Sequence, residues 1–437
     1  MFDVSNPMSL WRFLTSLRLT VTCLALAVLL VFFGTLSQVD LGLWKAQKIW
    51  FHSWIVWWQH LQLFGWKFVV PVFPGGYLIG FTLLAGLTAA FIKRFQWRKD
   101  KIGIHCIHAG VILMLLGQLL TQELAVESYV DFKEGETKRY AEDHLMNELA
   151  FIRDAGSGQD EVVAIPEDFL KPGAEIRHEK LPFTVRIKDY GVNCTVRGRG
   201  PMVDGPAVAT QGFGTQLVVE PRGEVTDMDS RNLPYAYIEL IKDGRSLGVW
   251  LVTPWLDMPW FRAGAQEVPT DGGPLRMALR FQRYYEPFAI TLLETHHENY
   301  RGTDIPKNFR SRVRIAGGKS NETREVDIYM NHPLRYAGLT FYQARMGRDQ
   351  DDPSRGTSTL QVVRNPGWLT PYAGCYIVAA GMYVQFRHHL TRFLAKRAGG
   401  DGVARKGRWG AIAGRLLEVG LLGYLVIKFT LKLFGYA

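Results

Sequence analysis

"KIGIHCIHAGVILMLLGQLL", Lys101–Leu120, decides how the rest of the chain is read. No charge follows Lys101 until Glu123, and about 20 apolar residues are what an α-helix needs to cross a bilayer. Two histidines, His105 and His108, fall in its first turns. Three residues apart, they point to neighbouring faces of one helix. At a rise of about 1.5 Å per residue, His108 lies on the order of 10 Å beyond Lys101, inside the hydrocarbon. An imidazole there needs a hydrogen-bond partner, a second charge or a metal. Haem iron is one such metal, and histidine is a common protein ligand to it. Ala109, Gly110 and Gly117 are small and admit either a flat macrocycle or another helix. Two readings stay open: an iron ligand, or a histidine satisfied by a neighbouring helix or snorkelling to the interface.

Working outward, three more apolar runs appear: Leu19–Leu36, Tyr77–Ile92 and Tyr372–Phe386. With Ile102–Gln122 they predict an integral membrane protein with four transmembrane helices. A fifth candidate, Trp409–Phe434, is interrupted by Arg415, Glu418 and Lys428; it either spans or lies in the interface. The first run is expected to be retained, because "FFGTLSQVD" is a poor signal-peptide cleavage site. The formal charge of +10 is unevenly placed. From Glu123 to Arg364, 31 Lys and Arg face 36 Asp and Glu, whereas the remainder holds 20 against 5. The basicity therefore flanks membrane segments and is no nucleic-acid footprint. The clusters at Lys93–Lys101 and Arg387–Arg415 belong in the cytoplasm by the positive-inside rule. Helices one and three then run outward, and helices two and four return. Everything between helices three and four lies outside.

The expected organisation is 1–122, a membrane domain with three helices and a Trp-rich loop; 123–367, an extracytoplasmic β-rich domain; and 368–437, a C-terminal membrane segment. The loop Val39–Gly76 carries six tryptophans and reads as an interfacial helix, since the indole ring suits the headgroup zone. In the large region, "LPYAYIELIKDGRSLGVWLVTP" (Leu233–Pro254) alternates on both sides of Asp243-Gly244, a strong hairpin signal. "PFTVRIKDYGV", "LRMALRFQRYYEPFAITLLE", "FRSRVRI" and "STLQVVRNPG" continue the strand pattern, predicting a sandwich-like or irregular β domain. Flexible breaks are expected at Arg197–Gly214 and Arg345–Gly356.

Four cysteines, Cys23, Cys106, Cys194 and Cys375, form no C-x-x-C, so the chain is no dithiol redox catalyst. No zinc-protease, Walker, serine-hydrolase or dinucleotide motif occurs, and neither does C-x-x-C-H. His52, His60, His388 and His389 read as interface residues. His296 and His297 are adjacent on a strand and point oppositely, which disfavours a shared metal.

Several segments together resemble the ResB-like (CcsB) family of cytochrome c maturation proteins: "FHSWIVWW…VFPGGYLIGFTLLAGLTAAFI", "IGIHCIHAGVILMLLG", "YRGTDIPKNFRSRVRI", "IYMNHPLRYAGLTFYQA" and "VVRNPGWLTPYAGCYIVAAGMYVQF". The resemblance implies a multi-pass protein of the bacterial inner membrane with its large domain in the periplasm. It implies a place in System II, where such a protein pairs with a ResC/CcsA-like membrane partner. The pair moves haem b outward for attachment to apocytochrome c, alongside a thiol-disulfide oxidoreductase of the same pathway. By position in the family pattern, His108 is the expected axial ligand, with His105 a weaker candidate; any lyase chemistry belongs to the complex. "WFHSWIVWW" lacks the W-G-x-x-W-x-W-D signature of the partner, so the attachment site is not expected on this chain alone. "YMNHPLRYAGLTFYQ" reads as structural, with His332 a candidate contact. The alternative is an assembly scaffold or apocytochrome chaperone that binds no haem.

Overall fold

The computed structural model describes residues 7–397 apart from 64–65, 157, 201–206, 226–230, 259–260, 262, 303–305 and 319–321. The expected fifth apolar segment, Trp409–Phe434, lies outside the described residues. Helix α1 (Pro7–Leu14) leads into α2 (Leu17–Leu41). A short α3 (Leu43–Ala46) and a π-turn (Gln47–Phe51) follow. Strands β1 (Ile55–Leu63) and β2 (Trp66–Pro74) then pair antiparallel. Helices α4 (Gly76–Arg94) and α5 (Ile102–Leu124) precede the long β region, and α6 (Thr370–Arg397) follows it.

Among the described residues three helices are long and apolar enough to cross a membrane: α2, α4, and α5 with the turn before it. Their apolar side chains are largely exposed, Val28 by 69% for example, as lipid-facing helices require. The fourth expected segment is helical over 28 residues, but Tyr372, Tyr376, Tyr383 and Gln385 dilute its apolar character. The expected interfacial helix at Val39–Gly76 is corrected. The helical part stops at Phe51, and the rest is the β1–β2 hairpin. Ile55, Val56 and Trp57 are β-branched or aromatic, and such residues favour a pleated surface over a helix.

The chain packs as two units: Met1–Thr20 with Leu84–Leu119 and Leu369–Ala437, and Val21–Leu83 with Leu120–Trp368. The second unit holds the β region, in chain order β3 (Val126–Lys133), β4 (Thr137–Gly156), β5 (Gln159–Pro166), β6 (Glu175–Ile176), β7 (Thr184–Gly191), β8 (Cys194–Gly198) and β9 (Leu217–Pro221). There follow β10 (Tyr235–Lys242), β11 (Arg245–Val252), β12 (Gln266–Val268), β13 (Leu275–Asn299), β14 (Pro306–Gly317), β15 (Glu322–Tyr329), β16 (Leu334–Tyr336), β17 (Leu339–Arg348) and β18 (Gly356–Arg364). A ten-stranded sheet runs β15-β14-β13-β4-β3-β18-β17-β16, with β12 on β13 and β5 on β4; a four-stranded sheet runs β11-β10-β7-β6; β8 and β9 pair alone. The β10–β11 hairpin forms as its sequence predicts. Asp243 and Gly244 both have positive φ, 49° and 75°, the signature of a type I′ turn.

The two longest strands tie two hydrophobic cores together. Leu275, Met277 and Leu279 of β13 enter one core, where the arm of the large sheet stacks on β7, β10 and β11. Phe288, Ile290 and Leu292 enter the other, which gathers side chains from both ends of the large sheet as it curls on itself. The inward residues change from odd to even numbers. The register with β4 shifts beyond Phe281, where β4 carries the extra residues, and shifts back beyond Tyr285, where β13 carries them, so β13 is bulged over the stretch in which the change falls. In the stretch between the cores sits a buried ion pair, Arg280 with Glu148 at 2.9 Å, both side chains under a tenth exposed. Arg280 also donates to Tyr285 Oη at 3.1 Å. The expected break at Arg345–Gly356 is corrected as well. It is the β17–β18 hairpin, whose loop is closed by Asp349 N donating to Arg355 O and by Lys133 bound to Asp349 at 2.9 Å. The other expected break, Arg197–Gly214, falls partly on residues outside those described; Arg199 N donates to Gln216 O at its start.

Candidate functional site

Helix α5 carries its glycines at intervals of seven, Gly103, Gly110 and Gly117, and all three are buried. They face α6. A Cβ on Gly110 would lie 2.8 Å from Gly374 O and 2.7 Å from Val378 Cγ2; one on Gly103 would lie 2.7 Å from Gly381 O; one on Gly117 would run into Thr370 Oγ1. Gly374 and Gly381 are the buried glycines of α6. The two helices therefore touch backbone to backbone and antiparallel along one seam. The small residues admit a helix, and no macrocycle slot remains along them.

His108 lies two residues before Gly110. At about 100° per residue that turns its side chain to the far side of α5, away from α6. There its ring stacks on Phe91 of α4, centroids 6.3 Å apart and planes 19° off parallel. His108 Nδ1 sits 2.8 Å from Ile104 O. A carbonyl oxygen only accepts, so Nδ1 carries the proton and Nε2 of the neutral ring carries the lone pair. Among the described residues Nε2 has no hydrogen-bond partner, and the ring is half-buried. His105 is brought to the same place but is differently bound. Its ring packs on Phe95 at 4.6 Å and edge-on to Phe91 at 5.8 Å. Its Nε2 donates to Gln96 O at 2.8 Å, tying it to the loop between α4 and α5.

One imidazole with an oriented ring and an open Nε2 fits a single axial position on haem iron. Both rings bind a backbone carbonyl through one nitrogen; His105 is left with Nδ1, crowded by its own Cβ, and His108 with the less hindered Nε2, which makes His105 the poorer donor. No group of three or more His, Cys, Asp or Glu poised to hold a metal ion occurs among the described residues.

The other histidines fall elsewhere. His52 follows the π-turn and stacks on Tyr77, 6.1 Å and 18°, while Gln122 Nε2 donates to its Nδ1 at 3.4 Å. Burial holds its pKa below the ordinary imidazole range. The side chain of His60 lies outside the described residues. Gln385 Nε2 donates to His389 Nε2 at 2.9 Å, and His388 Nε2 is buried without a partner among the described residues, a feature the sequence reading missed. His332 is exposed and stacks on Tyr329 at 4.6 Å. Asn331, Ala337 and Gly338 take positive φ, so the motif around them is built of two tight turns, as its residue types suggest.

Comparison with known proteins gives two findings. Residues 265–357 match the model of the ResB-like family. A stretch of 107 residues is 26% identical to Protein NrfI of Wolinella succinogenes, covering 24% of this chain and 11% of that protein. The matched family segment runs from β12 to the start of β18 and includes the "YRGTDIPKNFRSRVRI" and "IYMNHPLRYAGLTFYQA" motifs. Across β12 to β17, this chain thus carries the sequence pattern of the ResB-like family, the family that its motifs resemble.

Proposed function

We propose that this chain is a membrane subunit of a cytochrome c haem delivery and ligation complex, holding haem b through His108 for transfer to apocytochrome c. The family match supports a role in cytochrome c biogenesis, and three apolar helices support a membrane setting. One observation carries the finer reading: the open Nε2 of His108 on a ring held by Ile104 O and Phe91. Haem, when bound, supplies the vinyl groups that become thioethers and an iron whose state the axial ligand tunes. The chain's own part is to bind and orient. The Nδ1–H bond to a carbonyl fixes the tautomer and raises the basicity of Nε2. The α5–α6 seam fixes the helix that carries it.

The seam is filled by α6, so among the described residues the glycine face of α5 offers no porphyrin cradle beside the one axial ligand. A second membrane subunit of the ResC/CcsA type supplies the rest in this reading, with the thiol-disulfide oxidoreductase keeping the receiving cysteines reduced. The membrane is the bacterial inner membrane. The basic loop Lys93–Lys101 lies inside, the β region lies in the periplasm, and α6 returns the chain across. The filled seam also favours the competing reading, a scaffold or apocytochrome chaperone without haem. Co-purification with the partner separates them. Under the ligand reading His108→Ala loses most of the haem that wild type retains and His105→Ala keeps it. Equal haem in all three rules out ligation by His108.

A further inference from the structure

The unit formed by residues 1–20, 84–119 and 369–437 is unusually one-sided in charge. Among its described residues eleven are Lys or Arg and one, Asp100, is acidic. Arg12 and Arg18 stand at the entry to α2, five cations lie in residues 93–101 around the α4–α5 loop, and four lie on α6 past Phe386. Side-chain bonds draw these places together. Lys93 Nζ donates to Thr15 Oγ1 at 2.9 Å, and Arg392 lies 3.7 Å from Asp100. Asp100 is also held by Arg98 at 2.9 Å, so the one carboxylate is spent. The side chains of Arg12, Arg18, Arg94, Lys99 and Lys396 have no ion-pair or hydrogen-bond partner among the described residues. The rest of the chain in this unit brings no excess of counter-charge, since residues 398–437 hold six Lys and Arg against Asp401 and Glu418.

Apolar side chains share this end of the helices. Trp97, in the α4–α5 loop between Arg94 and Arg98, is 91% exposed. An indole ring suits the headgroup zone, where its ring meets acyl chain and its N–H stays wet. The 28 residues of α6 reach roughly 42 Å at about 1.5 Å each, about 12 Å more than the hydrocarbon of a bilayer. Its last turns therefore lie at headgroup level. There Phe386, Leu390, Phe393 and Leu394 are all exposed, and their spacing of i, i+4, i+7 and i+8 puts them on one stripe. Arg392, on the far side of the helix, turns to Asp100. The guanidinium of Arg397 lies 5.2 Å over the ring of Phe393, which sets a cation directly on the apolar stripe.

We propose that this end of the helical unit is a binding surface for anionic phospholipid. The uncommitted cations take headgroup phosphates, and Trp97 with the stripe of α6 takes the upper acyl chains. A basic cluster beside membrane helices attracts anionic headgroups. A zwitterionic headgroup carries its own ammonium beside the phosphate, so it gains less here. An acidic soluble peptide would answer the charge but leave Trp97, Phe386 and Phe393 in water; a lipid answers both.

The test uses the purified full chain in neutral detergent, with dioleoyl phosphatidylglycerol as probe and dioleoyl phosphatidylcholine as control. Native mass spectrometry should show phosphatidylglycerol retained in preference to phosphatidylcholine, and less of it at high salt. The triple variant Arg94→Gln, Lys99→Gln, Lys396→Gln should bind it at least about tenfold more weakly. A second triple variant, Lys171→Gln, Arg177→Gln, Arg324→Gln, removes the same charge from exposed places in the β region and should bind as wild type does. Thermal midpoints without lipid show whether both variants fold. If the first does not, Lys99→Gln and Lys396→Gln carry the test singly, each expected to weaken binding about fivefold. Equal retention of the two lipids, or equal loss in the two triple variants, would overturn the proposal. So would polyglutamate that displaces phosphatidylglycerol and binds more tightly, which would assign the surface to an acidic peptide. His108→Ala should leave lipid retention unchanged, so the outcome is separate from that of axial ligation.

Discussion

His105 and His108 occupy the same helical turn, yet their nitrogens are committed differently. Nε2 of His105 is spent on Gln96 O, while Nδ1 of His108 is spent on Ile104 O and leaves Nε2 open. The spacing in the sequence shows that both rings lie near the N-terminal end of α5. It cannot show which nitrogen is bound, because Gln96 comes from the turn before the helix and its position is a tertiary fact. Cys194 makes the converse point. Its thiol is 2% exposed, and burial pushes its pKa up to about 11. Thiolate is the reactive form, so iodoacetamide at pH 8 should leave Cys194 unmodified in the folded protein and modify it after denaturation. Mass spectrometry of the peptide carrying it checks this; rapid native labelling would contradict the burial.

At the level of elements, Gly103, Gly110 and Gly117 are readable in the sequence as a seven-residue repeat, but their partner is not. That repeat on α5 meets Gly374 and Gly381 on a helix some 260 residues later, and nothing local links the two. A methyl group at Gly110 meets Gly374 O and Val378 at under 3 Å, whereas one at Gly80 meets nothing within 4 Å. Gly110→Ala should therefore lower the thermal midpoint of the purified protein, and Gly80→Ala should leave it unchanged. Equal midpoints would mean the seam does not form. In the β region the Asp243-Gly244 hairpin was legible because a type I′ turn has a local residue signature. The β1–β2 hairpin was not, because its tryptophans fit an interfacial helix equally well. The parity change along β13 escaped notice for the same reason: a continuous strand was visible, its bulges were not. Arg280 and Glu148 occupy that bent stretch as a buried pair. Removing one partner of such a pair costs about 3–5 kcal/mol. Arg280→Met should show a loss of that order in the denaturation midpoint, and Arg280→Met with Glu148→Leu should recover part of it.

For the molecule as a whole, the bunching of apolar residues gave the membrane class, and the clustering of charge gave the proposed orientation. The distribution of apolar runs gave α2, α4 and α5 in the right places. The fourth helix formed where expected, although its tyrosines make it less apolar than the other three. The orientation has a direct check. A cysteine placed at Asp243 on the β10–β11 turn should react with a membrane-impermeant maleimide in intact spheroplasts, and one placed at Lys99 should react only after lysis; the reverse pattern would invert the topology. The deepest commitment is that the ring of His108 is tolerated among lipid tails because it ligates iron. The sharpest measurement is the haem absorption spectrum of His108→Gly in the purified complex, with and without added imidazole. Axial ligation predicts a weakened Soret band that imidazole restores. A band already equal to that of wild type, unmoved by imidazole, would contradict it.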